Sequence, residues 1–314
     1  MRIVVAGSGR LAAGMMTALL DSRHELVGVV QDGRITRGIM RAAQPALDAW
    51  MPGESIAGRA WLMGLPIVWI DTMTDEELAP LRNLAPDLLL VGGFGIIFKP
   101  PLLQLPRLGC VNMHSSLLPK HRGPNPFQAV VLAGERQSGV TFHVMNEGID
   151  TGDILAQYTF PVAPNATARD VYHAACAAAA QHVTAVMDRI EAQGLHGAPQ
   201  DHTVATYDKR LTEADTWIRW DQSAAAIDRL ARALYPSLLL RFRHNGREIR
   251  VRRLEIRSES VQVLPGTVLE VDPCVVVATA AGSVRIVEAY GPKSFPWPGP
   301  WRAPKTGEVL QEGQ

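Results

Sequence analysis

Three polar side chains in the middle of the chain have the residue types that move protons and stabilise developing charge. Asn112 and His114 lie two residues apart at the end of an apolar run, so both point to the same side of a β-strand. An amide donor beside an imidazole suits a developing oxyanion. Asp150 follows in a loop of acidic residues and glycines that can bring its carboxylate close to this pair.

Each of these residues also has a structural interpretation. A histidine in a strand is more often structural than catalytic, and Asp150 could cap a turn. The combination favours chemistry, because an amide, an imidazole and a carboxylate together orient a nucleophile, move a proton and stabilise charge. No Ser or Cys with a dedicated base is evident, which favours direct group transfer over a covalent acyl-enzyme.

Alternating strand-like and helix-like runs must position this trio. The run Asp87–Val91 is almost entirely apolar, which is typical of a strand buried on both faces of a parallel sheet. The series predicts a doubly wound, mostly parallel α/β fold, whose ligands bind beyond the carboxyl ends of the strands. The other strand-like runs are Ile3–Ala6, Glu25–Val30, Pro66–Ile70, Gly109–His114 and Gly139–Met145.

The last third of the chain has a different organisation. The Ala-rich run Thr167–Gln193 predicts one long helix that closes the first domain, and residues 194–212 form the predicted linker. A helix over Ser223–Leu234 and five short β runs follow, which indicates a small OB-like β-barrel. The predicted domains are residues 1–204 and 205–314, and the β runs are Leu238–Arg243, Glu248–Ile256, Gly266–Val271, Val275–Thr279 and Ser283–Tyr290.

Composition excludes several classes of protein. Lys plus Arg and Asp plus Glu number 31 each, so net charge gives no global reason to expect nucleic-acid binding. A hydrophobic content of 47% excludes disorder as the dominant state, and no apolar run reaches the ~20 residues of a membrane span. No export signal follows Met1, and three cysteines are too few for a disulfide framework or metal cluster. We expect a cytoplasmic monomer or homodimer without metal.

Two separated motifs resemble those of the 10-formyltetrahydrofolate-dependent formyltransferase family. Residues 112–123 contain Asn-x-His-x-Ser-Leu-Leu-Pro with a following Arg-Gly, and residues 148–154 read Gly-Ile-Asp-Thr-Gly-Asp-Ile. Residues 205–207 and 218–221 resemble the start of the C-terminal, OB-like domain of two-domain members. The resemblance implies a Rossmann-like catalytic domain that transfers a formyl group to an amine, with 10-formyltetrahydrofolate as co-substrate.

The resemblance also implies a role for each matching position. Asn112 and a protonated His114 would stabilise the oxyanion, and Asp150 would keep the imidazole charged, so the pKa of His114 should rise. The implied folate contacts lie in three stretches. These are Phe94, Gly95, Ile96, Ile97 and Phe98; Ser116, Leu117, Leu118 and Pro119; and Asn146, Glu147, Gly148 and Ile149.

The sequence departs from the tRNA-specific members where the acceptor would bind. Residues 122–127 read Arg-Gly-Pro-Asn-Pro-Phe where those members have Arg-Gly-Ala-Ala-Pro-Ile. Residues 32–65 replace their basic loop and form either an acceptor-binding flap or a surface insertion. The turn at Gly9 and Arg10 is either a phosphate site or a tight strand-to-helix turn. Gly9, Arg10 and Arg122 are the candidate acceptor contacts.

A cluster of arginines in the last domain also bears on whether the acceptor is tRNA. One interpretation is that these side chains contact phosphates and therefore tRNA. The other is that they lie on a solvated sheet face, and the scarcity of aromatic residues between them favours this second interpretation. The cluster comprises Arg241, Arg243, Arg247, Arg250, Arg252, Arg253 and Arg257.

The leading hypothesis is an N-formyltransferase whose acceptor is a small-molecule amine, such as an amino sugar or a natural-product amine. Initiator methionyl-tRNA is the alternative acceptor. A formyltetrahydrofolate hydrolase would use the same trio with water. A non-catalytic folate- or nucleotide-binding protein would not need all three groups.

Overall fold

The computed structural model describes residues 1–50, 55–257, 262–291, 293–294, 297–298 and 301–312. The chain forms two compact units. The first comprises Met1–Pro126, Gln137–Pro161 and Tyr172–Asp208, and the second comprises Phe127–Arg136, Val162–Val171 and Lys209–Gln314. The predicted boundary after residue 204 therefore falls near the last division, and two earlier stretches cluster with the second unit.

The first unit is built on a seven-stranded sheet of order β3-β2-β1-β4-β5-β6-β7. The first five strands run parallel, and β6 and β7 are antiparallel to their neighbours. The predicted doubly wound, mostly parallel α/β fold is confirmed. The strands are β1 (Arg2–Gly7), β2 (Glu25–Asp32), β3 (Ile67–Ile70), β4 (Leu88–Gly92), β5 (Gly109–His114), β6 (Gln137–Val144) and β7 (Ile154–Pro161).

Helices connect these strands and cover the sheet. All residues of β4 are buried, as the apolar run predicts, because neighbouring side chains cover the strand on both faces. Thr74 caps α4 by accepting from the Glu77 N–H. The helices are α1 (Gly9–Leu20), α2 (Met40–Trp50), α3 (Ile56–Leu62), α4 (Asp75–Asn83), α5 (Pro100–Leu103), α6 (Pro126–Ala133) and α7 (Ala168–Gln193), with a 3₁₀ turn at His202–Val204.

Residues 32–65 contain two helices rather than the irregular connection that the sequence indicated. Pro45 inside α2 hides the first helix from the sequence analysis, because proline disfavours a helix interior. Tertiary contacts hold it instead, since the Arg41 guanidinium donates to Asp71 Oδ2 at 2.6 Å and to the Gly33 carbonyl at 2.9 Å. A Cβ on Gly58 of α3 would lie 2.8 Å from the backbone of Asp48, so only glycine allows this packing.

The second unit contains a five-stranded antiparallel sheet of order β10-β11-β12-β9-β8. Residues 309–311 form bridges to both sides, at Thr267 and at Arg243, so the chain terminus completes a curled sheet, in agreement with the predicted small β domain. Its elements are a 3₁₀ turn (Glu213–Thr216), α8 (Ala224–Leu234), β8 (Leu240–His244), β9 (Arg247–Arg257), β10 (Val268–Glu270), β11 (Val275–Ala278) and β12 (Ser283–Tyr290); the short pair β13 (Lys293–Ser294) and β14 (Trp297–Pro298) follows.

Among the residues that the structure describes, no helix combines the length and apolar character needed to cross a bilayer.

The β1–α1 turn depends on a close backbone approach at Gly7. Its φ is +149°, and a Cβ there would lie 2.0 Å from the Gly92 carbonyl oxygen. We expect Gly7→Ala to lower the free energy of unfolding by roughly 3 kcal/mol or more. The new Cβ would overlap the Gly92 carbonyl, and alanine also disfavours a positive φ. Gly38→Ala is the control, because Gly38 has a φ of +57° and no atom within 4 Å. Equal urea midpoints for the two variants would contradict this explanation.

Candidate active site

Asn112 and His114 lie at the carboxyl end of β5, the edge at which ligands of doubly wound sheets bind. The antiparallel register places Asn112 opposite His143 of β6 and His114 opposite Thr141. Cross-strand partners share one face of a sheet, so a second imidazole joins the predicted pair. His114 is 6% exposed and His143 is 2% exposed.

Asp150 reaches the pair from a tightly bent loop between β6 and β7. Its own φ is +52°, a conformation that non-glycine residues rarely adopt. The Asn146 Oδ1 accepts from the Gly148 N–H at 3.0 Å and from the Thr151 hydroxyl at 2.7 Å, which closes the loop. A Cβ on Gly152 would overlap the Val144 carbonyl oxygen, so this position requires glycine.

The three predicted side chains converge. The Asn112 Nδ2 donates to Asp150 Oδ1 at 3.3 Å, and the His114 Nδ1 lies 3.6 Å from the same oxygen. The other carboxylate oxygen accepts from the Gly123 N–H at 2.9 Å. His143 is the fourth member, since its Nε2 lies 3.1 Å from Asn112 Nδ2 and 3.5 Å from Asp150 Oδ1.

The carboxylate of Asp150 is ionised despite its burial. Burial opposes its charge, but the contact with His143, the positive charge that His114 carries when protonated at low pH and the Gly123 N–H outweigh this and lower its pKa to about 2. The site therefore keeps a fixed negative charge over the physiological pH range.

The expected rise in the pKa of His114 is wrong. Burial disfavours the imidazolium and lowers the pKa of His114 below its ordinary value of 6.5, although Asp150 acts in the opposite direction. The imidazole is consequently neutral at pH 7. Its Nε2 lies 2.7 Å from the His121 carbonyl and must carry the proton, because a carbonyl only accepts. The unprotonated Nδ1 faces Asp150, placed to take up a proton.

Two residues of the turn after β5 are buried and support the turn itself. Ser116 and Leu118 are buried, and the Ser116 hydroxyl donates to the Lys120 carbonyl at 2.7 Å. The Thr141 hydroxyl donates to the Ser116 carbonyl and accepts from the Leu118 N–H. The Leu118–Pro119 peptide is cis. The folate contacts of Ser116, Leu117, Leu118 and Pro119 stay predictions, and the residues that follow the turn place the His121 carbonyl that orients His114.

Arg122 is buried beneath the site, so the predicted contact with an acceptor is wrong for this side chain. It is 1% exposed, and its Nη2 donates to Gln200 Oε1 at 2.6 Å while its Nη1 donates to the Tyr207 hydroxyl at 2.7 Å. Gln200 Nε2 in turn donates to the carbonyls of Asp150 at 2.9 Å and Gly152 at 2.6 Å. The guanidinium thus holds the amide that holds the Asp150 loop.

The two remaining predicted folate walls line different spaces in the first unit. Asn146, Glu147 and Gly148 line a cleft of about 390 Å³ together with α5. Phe94 and Gly95 line a second cavity, which Gly9 also lines. Phe98 is buried, with its ring 5.4 Å from Phe94, whereas Ile97 and Ile149 are 62% and 49% exposed. Ile96 packs at the edge of the core, Leu117 and Pro119 are half-buried, and Arg10 is exposed.

His143 and Gln200 are the site residues that sequence reasoning missed. His143 has a signal in retrospect, because it alternates with Thr141 along β6, but its position opposite Asn112 depends on a strand register that the sequence does not reveal. Gln200 lies in the stretch predicted as a linker. Its role depends on a return of the chain to the sheet, where Ala198 bridges to Ile154.

Comparison with known proteins identifies the family. Residues 1–187 match the formyl transferase family, and residues 210–295 match the formyl transferase C-terminal domain. The chain is 32% identical over 305 residues to methionyl-tRNA formyltransferase of Thiobacillus denitrificans, covering 93% of each chain. It is 33% identical over 303 residues to the corresponding enzyme of Roseiflexus castenholzii, covering 94% of each. The chain belongs to the formyltransferase family, a class of group-transfer enzymes.

Solved structures share the same fold. The N-formyltransferase of Helicobacter canadensis, in complex with folinic acid and dTDP-3-aminofucose, matches with a TM-score of 0.68 at 20% identity, over 91% of this chain and 98% of that chain. HypX of Aquifex aeolicus, in complex with tetrahydrofolic acid, matches with a TM-score of 0.61 at 20% identity, over 93% of this chain and 44% of that chain. Similarity at this level of identity concerns the fold alone.

The electrostatics of the site predict an acid-shifted titration of His114. We expect an NMR titration of the wild-type protein to give a pKa of His114 below 6.5, because burial disfavours the charged ring. Asp150→Asn removes the charge that favours protonation, so the pKa falls further. Asp208→Asn serves as the control, since Asp208 contacts His121 Nδ1 at 2.8 Å rather than His114. A rise in the pKa of His114 in Asp150→Asn would refute this account.

The contacts of Arg122 predict a positioning role that Lys cannot fill. Arg122→Lys loses the planar guanidinium that binds Gln200 and Tyr207 together. We expect kcat for formyl transfer to fall roughly tenfold or more as the Asp150 loop shifts, with KM for the folate little changed. Arg169→Lys, at an exposed position of α7, is the matched control. A lower melting temperature with unchanged kcat would show that Arg122 serves stability alone.

Proposed function

We propose that the chain transfers a formyl group from 10-formyltetrahydrofolate to a primary amine. The observation that carries the proposal is the convergence of Asn112, His114 and Asp150 at the carboxyl end of β5 in a formyltransferase fold. Complexes of folate derivatives with structures of the same fold support the choice of donor. We expect the enzyme to act in the cytoplasm.

The charge states of the site favour a mechanism that starts from neutral His114. The amine nitrogen attacks the formyl carbon and forms the new C–N bond, and the carbonyl oxygen becomes an oxyanion. His114 Nδ1 accepts the proton that the amine loses, and Asp150 stabilises the resulting imidazolium. The bond from the formyl carbon to N10 of the folate then breaks, N10 takes the proton, and the products are the formamide and tetrahydrofolate.

Asn112 must exchange a partner to stabilise the oxyanion. Its Nδ2 donates to Asp150 Oδ1 at 3.3 Å and lies 3.1 Å from His143 Nε2. The formyl oxygen replaces one of these contacts as its charge develops. We place the pterin against the loop Phe94–Phe98 and the stretch Asn146–Ile149, both of which contain exposed residues that a flat heterocycle can contact.

Initiator methionyl-tRNA is the acceptor that the sequence relatives favour. Methionyl-tRNA formyltransferases match across nearly the whole length, including the C-terminal domain. This supports the tRNA acceptor better than the small-molecule acceptor that the departures of the sequence favour.

A small polar amine is the second candidate, and the pairing of the arginines favours it. Among the described residues of the second unit, five of the seven clustered arginines form ion pairs with glutamates. In residues 32–65, Arg34 pairs with Asp32 and Arg41 pairs with Asp71. Guanidinium groups already neutralised in this way attract phosphates weakly. The five arginines are Arg241, Arg250, Arg252, Arg253 and Arg257.

A tetrahydrofolate-release assay tests the proposal with both acceptor classes. Purified protein with 10-formyltetrahydrofolate receives initiator methionyl-tRNA in one arm and a panel of amino sugars in the other. We expect Asn112→Ala to lower kcat about 100-fold, because it removes an oxyanion donor. Asn83→Ala, at an exposed position of α4, is the control. Wild-type rates in both Asn112→Ala and His114→Ala would overturn the assignment.

Two further readings of the same assay identify the acceptor. A tRNA acceptor makes kcat/KM fall steeply as salt rises, because phosphate binding releases counterions, whereas an uncharged sugar amine does not. Formate that accumulates without any formylated amine would identify a hydrolase instead.

A further inference from the structure

Residues 205–208, which we call the clamp segment, run alongside the turn that follows β5 and end the first unit. Three backbone hydrogen bonds join the two stretches. They run from the Thr206 N–H to the Pro119 carbonyl at 3.2 Å, from the Arg122 N–H to the Thr206 carbonyl at 2.9 Å, and from the Asp208 N–H to the Arg122 carbonyl at 2.9 Å. The clamp segment therefore pairs with the turn as a short strand would.

The turn supplies two backbone groups to the catalytic trio. The His121 carbonyl lies 2.7 Å from His114 Nε2 and therefore fixes which nitrogen of the imidazole carries the proton. The Gly123 N–H donates to Asp150 Oδ2 at 2.9 Å and helps to offset the burial of that carboxylate. Both groups must keep their direction for the trio to keep its protonation states.

Each of these two groups is one edge of a peptide unit whose other edge binds the clamp segment. The His121 carbonyl shares its peptide unit with the Arg122 N–H, which donates to the Thr206 carbonyl. The Gly123 N–H shares the next peptide unit with the Arg122 carbonyl, which accepts from the Asp208 N–H. A peptide unit is planar and rigid, so a bond at one edge orients the other edge.

The same bonds strengthen the contacts with the trio. A hydrogen bond at one edge of a peptide unit polarises the unit, which makes its carbonyl a better acceptor and its N–H a better donor. The Thr206 carbonyl thereby strengthens the acceptor that faces His114, and the Asp208 N–H strengthens the donor that faces Asp150. Such polarisation is greatest away from water, and Arg122 is buried.

Close packing fixes the clamp segment against the turn. The Thr206 hydroxyl accepts from the His121 N–H at 2.8 Å, and Asp208 Oδ2 lies 2.8 Å from His121 Nδ1. Gly123 has a φ of +110°, and a Cβ there would lie 2.6 Å from the Asp208 carbonyl oxygen, so only glycine allows this approach. His121 itself has a φ of +57°, an unfavourable conformation that these contacts maintain.

We propose that the clamp segment positions the catalytic trio through the backbone of Thr206 and Asp208 and through the Thr206 hydroxyl. None of these groups touches the reacting atoms, so they are positioning groups rather than catalytic ones. Their loss lowers kcat and changes KM for the folate little, because they act on the alignment of the trio rather than on binding. The kinetic part of the proposal rests on the proposed formyl transfer.

Proline at position 208 tests the backbone bond. Asp208→Pro removes the N–H that binds the Arg122 carbonyl, and Tyr207 before it lies in a β-bridge, whose extended conformation accommodates a following proline. Asp208→Ala is the matched variant, because it keeps that N–H and loses the same carboxylate. In the tetrahydrofolate-release assay with methionyl-tRNA and the amino sugars, we expect kcat to fall roughly tenfold in Asp208→Pro and clearly less in Asp208→Ala.

NMR spectroscopy follows the same bond without any turnover. In Asp208→Pro we expect the Gly123 amide proton to move upfield, because its hydrogen bond to Asp150 weakens. The same proton stays closer to its wild-type position in Asp208→Ala. A change of stability alone shifts the urea midpoint but leaves this signal of the folded protein in place.

A second pair of variants acts through a side chain and decides the question if Asp208→Pro does not fold. Thr206→Val keeps the shape of the side chain but cannot accept from the His121 N–H, whereas Thr206→Ser keeps the hydroxyl. We expect Thr206→Val to lower kcat and to move the His114 Nε2 proton upfield, because the His121 carbonyl shifts. Thr206→Ser restores both towards the wild-type values.

The remaining outcomes contradict either the clamp segment or the proposed function. Equal kcat values or equal Gly123 signals in Asp208→Pro and Asp208→Ala overturn the proposal. A Thr206→Ser variant that matches Thr206→Val also overturns it, as do lower urea midpoints with unchanged kcat and unchanged NMR signals. If the wild type transfers no formyl group to either class of acceptor while the NMR signals shift as expected, the proposed function fails and the clamp segment is supported.

Discussion

The site depends on keeping one carboxylate charged where water barely reaches it. Asp150 is 13% exposed, and an isolated ion at such a position would be protonated or would unfold its loop. Asn112, His143 and the Gly123 N–H supply contacts that offset the desolvation. These groups come from two strands and a separate turn, so the charge is stable only when the sheet edge is fully assembled.

The imidazole beside this carboxylate stays neutral at rest and still becomes a base during the reaction. Burial sets the resting state of His114, and the nearby charge reduces the cost of a proton that arrives during reaction. The His121 carbonyl fixes which nitrogen is available. His121 has a φ of +57° and Asp150 one of +52°. Two residues with positive φ therefore contact the same imidazole, and such strained residues are common at functional sites.

The sequence predicts the secondary structure of this protein better than its tertiary contacts. Local patterns revealed the strands, the long helix and the three converging residues, because periodicity and residue type are local properties. The sequence did not reveal α2, which is held by Arg41 and Asp71, 30 residues apart. Nor did it reveal that Arg122, Ser116 and Leu118 are buried. Burial of a polar group depends on partners distant in sequence, such as Gln200.

The choice between tRNA and a small amine as acceptor depends on which charged side chains lack an ion pair within the protein. A tRNA-binding surface needs cations that are free to neutralise phosphates. In the described residues, glutamates and aspartates already neutralise five of these cations, namely Arg34, Arg41, Arg250, Arg252 and Arg257. Similarity to the methionyl-tRNA formyltransferases over the whole chain reflects the common ancestry of both domains. The choice of acceptor depends on a few local charges, so the pairing of the arginines can favour a different acceptor without contradicting that ancestry.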